Sequence, residues 1–177
     1  YKLIVDLTGK VIKEKSVEST SEFETVHIDT KVAPTSINTT TAFPLTVREI
    51  VRMAEMARNT LNVAVNAFLD VDESKEEEIK HSEEYVDYLN RAINEYVITL
   101  NTLPIPEHDA KMLGPVFHVL ADIERISDHS LQIFNKVETC KKKGYTFSDE
   151  YRKSIQELLR EIQLSLRKNW SSTKLSA

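Results

Sequence analysis

The chain has 177 residues, of which 41% are hydrophobic, 29% are charged and only 3 are glycine, a composition typical of a globular domain built from long helices. Its formal net charge of −5 argues against nucleic acid as the main partner, because a phosphate-binding surface needs an excess of basic residues. The single cysteine, Cys140, excludes an intrachain disulfide and fits a reducing compartment. No apolar run reaches the roughly 18 residues of a membrane span, so none is predicted.

The first 45 residues differ in character from the rest. Residues 1–15 mix apolar residues with lysines, which predicts a short amphipathic helix or an edge strand. Residues 16–45 are rich in Ser, Thr and Glu without a sustained hydrophobic period, so we interpret them as an extended linker, with residues 26–28 lying against the domain. Because the chain begins at Tyr1 rather than Met and has no signal-peptide pattern, we expect it to be a piece of a longer protein.

Three helices are predicted in residues 46–143. The first begins with Thr46 and Glu49, which have the spacing of a capping box just after Pro44. The second begins near Ser74 and ends before Pro104, because proline cannot continue a helix. The third begins near residue 107 and closes with three lysines before Gly144. Cations in a last turn followed by glycine are typical of a helix C-terminus.

Seven-residue spacings of apolar residues predict which faces of the second and third helices are buried. In the second helix the spacing contains Ile79, Val86, Ile93 and Leu100. In the third it contains Met112, Val119, Ile126 and Ile133, flanked by Val116, Leu120 and Ile123. With short connections between such long helices, the sequence predicts an all-α fold whose core is an antiparallel three-helix bundle preceded by an extended arm.

An additional C-terminal helix is predicted at residues 146–170. Its apolar stripe contains Ile155, Leu159, Ile162 and Leu166. A stripe of that size usually marks a contact surface, so we expect these side chains to be buried, either on the bundle or in a homodimer.

Two pairs of carboxylates stand out on the second and third helices. Glu83 and Asp87 form one pair, and Glu124 and Asp128 form the other. A separation of four residues places both carboxylates of a pair on one helix face, one turn apart, beside the apolar stripe. If the two helices are antiparallel neighbours, the four side chains form a cluster of oxygen ligands of the kind that hard or borderline metal ions prefer.

Two alternatives apply to these carboxylates. In the first, they are solvated boundary residues that pair with Arg91 or Arg125 and bind nothing. In the second, the bundle is a di-iron enzyme, which requires a Glu-x-x-His pair on each of two helices. Only Glu78 and His81 have this spacing within a predicted helix, and no nucleophile with a base or phosphate-binding glycine loop is present, so we predict that the protein is not an enzyme.

Residues 122–129 read Asp-Ile-Glu-Arg-Ile-Ser-Asp-His and resemble the PhoU-domain signature Asp/Glu-Leu-Glu-Arg-Ile-Gly-Asp-His, with Ile123 and Ser127 as departures. Glu83 and Asp87 fall where that family carries an earlier acidic motif. The stretches at residues 85–90 and 113–122 are similar to the PhoU domain of bacterial sodium–phosphate cotransporters. The resemblance covers roughly residues 26–165.

The resemblance implies a cytoplasmic regulatory domain of a sodium-dependent phosphate transporter, on the cytoplasmic side of the cell membrane. Its partner would be the transmembrane portion of the same polypeptide, with residues 1–15 as the membrane exit and residues 146–170 as an extra helix that starts a second repeat or contacts a dimer partner. The resemblance also implies a metal centre for iron, manganese or zinc, with Glu83, Asp87, Glu124 and Asp128 as ligands. Phosphate would be bound only indirectly, through the metal, because carboxylates repel it. A free-standing PhoU-type regulator and a metal-free helical docking module remain as alternatives.

Overall fold

The computed structural model describes the backbone of residues 23–173 and the side chains of residues 23–165. The predicted membrane-exit segment at residues 1–15 lies outside this range. The described residues contain five α-helices and no strand. The helices are α1 (Ala42–Asp70), α2 (Glu76–Leu100), α3 (Glu107–Phe134), α4 (Val137–Lys143) and α5 (Asp149–Thr173), with short 3-10 turns at Pro34–Ser36 and Glu73–Lys75. The predicted all-α fold is therefore confirmed, and no helix in this range is long and apolar enough to cross a membrane.

Helices α1, α2 and α3 form a three-helix bundle in which sequential helices are antiparallel. At one end, Ala42 of α1, Leu100 of α2 and Leu113 of α3 belong to the main hydrophobic core. At the other end, a second cluster contains Ala67, Ile79 and Phe134 from the same three helices. The short connections between helices bring consecutive helices side by side, which is the arrangement predicted from the sequence.

The start of α1 corrects the predicted capping box. The helix begins at Ala42, so Thr46 lies inside it and donates its hydroxyl to the Ala42 carbonyl at 2.8 Å. Pro44 lies in the first turn, where a backbone N–H has no helical partner and proline is tolerated. Glu49 is fully buried and bonds to residues outside the helix. Helix α1 therefore begins four residues before its predicted start at residue 46.

The heptad of α2 is confirmed, whereas that of α3 is wrong by one residue. The residues predicted to flank the α3 heptad, Val116, Leu120 and Ile123, are buried as expected. Met112 and Val119 are exposed, and Ile126 and Ile133 are only half-buried. The buried face of α3 contains Leu113, Val116, Leu120, Ile123, Ser127, Ser130 and Phe134. Two serines on this face lower its apparent hydrophobicity, and a neighbouring line of aliphatic residues gives the stronger pattern in the sequence.

The predicted third helix is divided into two. Helix α3 ends at Phe134, and the seven-residue α4 follows after Asn135 and Lys136. Helix α4 ends at Lys143, as predicted, and is capped by Gly144. The positive φ of Gly144, 66°, is the left-handed conformation that glycine adopts without a steric penalty.

Helix α5 packs on the outer side of α1. Leu159 is buried against Leu61, Val65 and Leu69, and Ile155 is half-buried beside it. Arg152 pairs with Asp70 of α1 at 2.6 Å. Ile162 is 40% exposed, so it is not buried on the bundle, and its burial in a homodimer stays a prediction. The side chain of Leu166 lies outside the described residues.

Candidate metal centre

The two carboxylate pairs lie on facing helices. One carboxylate oxygen from each of Glu83, Asp87 and Asp128 lies within 4.8 Å of the others, which is close enough for a shared cation. Glu124 lies one turn from Asp128 on α3 and raises the pKa of Glu83 through its charge, although it falls outside this closest group. The structure therefore brings three of the four predicted ligands together and places the fourth beside them.

The packing of α2 and α3 explains why these side chains converge. Val86 and Leu89 of α2 are fully buried in the core, as is Ile123 of α3. Glu83 and Asp87 lie within three positions of Val86. On α3, Glu124 follows Ile123, and Asp128 follows the buried Ser127. These positions place the carboxylates on the flank of the interface rather than inside it. The side chains of Glu83, Asp87 and Asp128 are half-buried, so they are shielded from water on one side and accessible on the other.

Ser127 lies at the buried face of α3, next to Asp128. It is the position where the family signature has glycine, and it is 1% exposed. Its hydroxyl is the one buried side-chain polar atom without a hydrogen-bond partner within the described residues.

The electrostatics of the cluster disfavour the ionised carboxylates. Burial raises the pKa of Glu83, and the charges of Asp87 and Asp128 raise it further. Burial likewise raises the pKa of Asp87, against the opposing effect of Arg91, and the pKa of Glu124, where the charges of Asp128 and Asp87 add to it. Like charges gathered in a partly desolvated place favour protonation or the binding of a cation.

Pairing with arginine neutralises the cluster only weakly. Arg91 approaches Asp87 at 3.8 Å and remains 68% exposed, a geometry of little energetic value. Arg125 pairs with Asp122, outside the cluster, at 3.6 Å. Within the described residues, no ion pair involves Glu83 or Asp128. The alternative of carboxylates held by ordinary salt bridges therefore accounts for Asp87 alone.

The donor set fits a hard or borderline cation. Its members are all carboxylates, the ligands that Mn²⁺ and iron accept readily and that Zn²⁺ also binds. Asn90 and Asn94 continue the same line on α2 but bond to each other, Asn94 donating to the Asn90 side-chain oxygen at 2.7 Å. The histidines are elsewhere: His118 and His129 are exposed, and His81 packs against Phe23. Glu78 pairs with Lys75, so the residues of the di-iron alternative do not converge on this cluster.

The raised pKa values predict how removing the charges changes stability. A carboxyl group whose pKa is higher in the folded than in the unfolded chain stabilises the fold in its protonated form. This stabilisation is complete below the unfolded-state pKa, near 4, and is lost as the pH rises through the folded-state pKa. We therefore expect Glu83→Gln with Asp87→Asn to raise the melting temperature at pH 7, in the presence of a chelator, by roughly 1–3 °C. Thermal unfolding followed by circular dichroism measures the difference.

The matched control neutralises Glu84 and Asp122, exposed acidic residues on the same two helices. It removes the same number of charges but should leave the melting temperature nearly unchanged. The increase for the cluster variant should disappear at pH 3, where the carboxyls are protonated in both states. An equal increase for both variants would mean that the total charge, rather than the cluster, is responsible.

Comparisons with known proteins give one match. No curated protein and no solved structure was found to match the chain. The family model of the PhoU domain matches residues 50–137, a segment that contains the whole of α2 and α3 and all four carboxylates. The segment that matches the PhoU domain thus contains most of the three-helix bundle and both acidic pairs.

Proposed function

We propose that the chain is a PhoU-type regulatory domain in phosphate homeostasis, and that it binds a metal ion through Glu83, Asp87, Glu124 and Asp128. The single observation that supports the metal site is the convergence of three carboxylates from two helices within 4.8 Å. The PhoU match to residues 50–137 supports the regulatory role. Binding, rather than catalysis, is the role that this arrangement serves.

The chemistry of the site gives each residue a task. Glu83 and Asp87 supply oxygens from successive turns of α2, and Asp128 supplies one from α3, so a shared cation would link the two helices. Glu124, one turn away, would complete the coordination or bind a second ion. A bound cation can hold phosphate through the open side of the cluster, whereas the carboxylates alone would repel it.

A finer proposal concerns the protein to which the domain belongs. We propose that it is the cytoplasmic domain of a sodium-dependent phosphate transporter, with the transmembrane portion of the same polypeptide as its partner. The similarity of residues 85–90 and 113–122 to the domain attached to bacterial sodium–phosphate cotransporters supports this choice. A free-standing regulator that docks onto a transporter or a sensor kinase is the second candidate, because its bundle would have the same motifs.

The gene that encodes the chain separates these two candidates. For the transporter domain, we expect the gene to encode a series of hydrophobic spans upstream of Tyr1. Cells that express the whole polypeptide should then take up radioactive phosphate in a sodium-dependent manner. Neutralising Glu83, Asp87 and Asp128 in that polypeptide should change the dependence of uptake on external phosphate. An open reading frame without upstream spans would favour the free-standing regulator.

A further inference from the structure

Residues 23–29, called the strap here, precede the first helix and lie in the groove between α1 and α2. Phe23 stacks on Tyr85 with ring centroids 4.6 Å apart and also contacts His81 and Tyr88. Five residues later, Ile28 is 5% exposed and belongs to the main hydrophobic core. The strap is therefore anchored by one aromatic and one aliphatic side chain, and exposed residues alternate with half-buried ones between them.

Glu49 of α1 holds the backbone of the strap. Its carboxylate is fully buried and accepts hydrogen bonds from two consecutive backbone N–H groups, Val26 at 3.3 Å and His27 at 2.7 Å. Arg52 neutralises this carboxylate with a bond of 2.6 Å. A buried carboxylate with a charged partner and two backbone donors has its hydrogen-bonding capacity satisfied, which buried ions require.

A second polar contact fixes the strap next to its aromatic anchor. The carbonyl oxygen of Glu24 accepts bonds from the Arg52 guanidinium at 2.9 Å and from the Tyr85 hydroxyl at 2.8 Å. Arg52 also lies over the Tyr85 ring, 5.2 Å from its centroid. The groove thus recognises main-chain carbonyl and N–H groups with side chains from both helices, as a receptor recognises an extended peptide.

This groove is separate from the carboxylate cluster. At about 100° per residue, Tyr85 lies roughly 160° from Glu83 and Asp87 around α2, so the two surfaces use opposite flanks of the helix. Glu49 lies just before the segment that matches the PhoU domain, and the strap lies wholly before it. The matched segment therefore contains Arg52 and Tyr85 but neither the strap nor Glu49.

We propose that the groove between α1 and α2 is a binding site for an extended peptide and that the strap is its resident, exchangeable occupant. The occupant has an aromatic anchor and, five residues later, an aliphatic anchor. Between them lie two consecutive backbone N–H groups that no helix or strand uses, so they can donate to Glu49. Glu49 is the specificity-determining residue, because it recognises the N–H pair that regular secondary structure would otherwise use. Release of the strap opens the groove to the same segment from a second copy of the chain.

The test adds a labelled peptide of residues 21–30 to the full chain and measures fluorescence anisotropy. Phe23→Ala with Ile28→Ala removes both anchors of the resident strap, so this variant should bind the peptide saturably and at least tenfold more tightly than the unmodified chain. Adding Glu49→Gln should weaken peptide binding at least tenfold, whereas adding Glu55→Gln, at an exposed position of α1, should not. Equal binding by all variants, or none by the anchor variant, overturns the proposal.

Hydrogen exchange provides a second test that does not require the anchor variant to fold. In the otherwise unmodified chain, Glu49→Gln should speed amide exchange at Val26 and His27 at least tenfold and leave the amides of α2 around Ile93 unchanged. Glu55→Gln should alter neither. Unchanged protection at Val26 and His27 in the Glu49→Gln variant, or faster exchange throughout the bundle, means that Glu49 does not hold the strap and overturns the proposal.

Discussion

Leu120→Ala is expected to lower the free energy of unfolding by about 2–5 kcal/mol, whereas Val119→Ala beside it should change this free energy by less than about 1 kcal/mol. Leu120 is 0% exposed and packs in the main core, so its truncation leaves a cavity. Val119 is 38% exposed and loses little packing. Urea unfolding of the two variants measures both free energies.

The comparison decides which face of α3 is buried. Both substitutions end in alanine at adjacent helical positions, so differences in helix propensity are small beside the cavity effect. A larger loss of stability from Val119→Ala than from Leu120→Ala would show that the face predicted from the seven-residue apolar pattern is the buried one. The packing described for the bundle would then be wrong.

An excess of Mn²⁺ is expected to raise the melting temperature of the chain by about 5–10 °C. At a free concentration about 100 times the dissociation constant, a ligand that binds only the folded state adds about 2.7 kcal/mol of stability. Each kcal/mol corresponds to about 2–4 °C for a chain of this size. The carboxylates supply this affinity because a cation relieves the repulsion that raises the pKa values of Glu83 and Asp87. Differential scanning fluorimetry with Mn²⁺, ferrous iron and Zn²⁺ measures the shift.

Asp87→Ala with Asp128→Ala should abolish the response to the metal ion. Glu84→Ala with Asp122→Ala removes two exposed charges from the same helices and should preserve it. Equal responses from both variants would indicate nonspecific binding to an acidic surface. No response in the unmodified chain to any of the three ions would favour the metal-free docking module.

The sequence predicted α2 better than α3 for a physical reason. The seven-residue spacing of α2 consists of Ile79, Val86, Ile93 and Leu100, which are all aliphatic and all buried. Its apolar pattern and its buried face therefore coincide. On the buried face of α3, two of the buried residues are the polar Ser127 and Ser130, which contribute no apolar signal. Hydrophobic periodicity measures transfer from water rather than close packing, and it therefore selected the neighbouring line of residues.

The capping box was a false signal because Thr46 and Glu49 have other roles. Thr46 bonds back to the preceding turn of its own helix, and Glu49 bonds to residues more than 20 positions earlier in the chain. A contact of that sequence separation leaves no local pattern. The strap was predicted only as a stretch laid against the domain, and its groove could not be derived from composition.

The candidate site was more accessible to sequence reasoning. The prediction that the two Glu–Asp pairs meet required only that α2 and α3 be antiparallel neighbours. The short connection between these helices favours that arrangement. The relative distances of the four carboxylates depend on the helix register. Glu124 accordingly lies beside the closest group rather than inside it, a detail that spacing alone does not determine.

Metal stoichiometry tests the central claim most directly. The chain is equilibrated with Mn²⁺, passed through a desalting column and analysed for metal per chain by atomic emission. We predict at least one Mn²⁺ per chain for the unmodified protein and for the Glu84→Gln/Asp122→Asn control, and nearly none for Glu83→Gln/Asp87→Asn/Asp128→Asn. No retained metal in the unmodified protein, or equal metal in the cluster variant, would contradict a metal centre at these carboxylates.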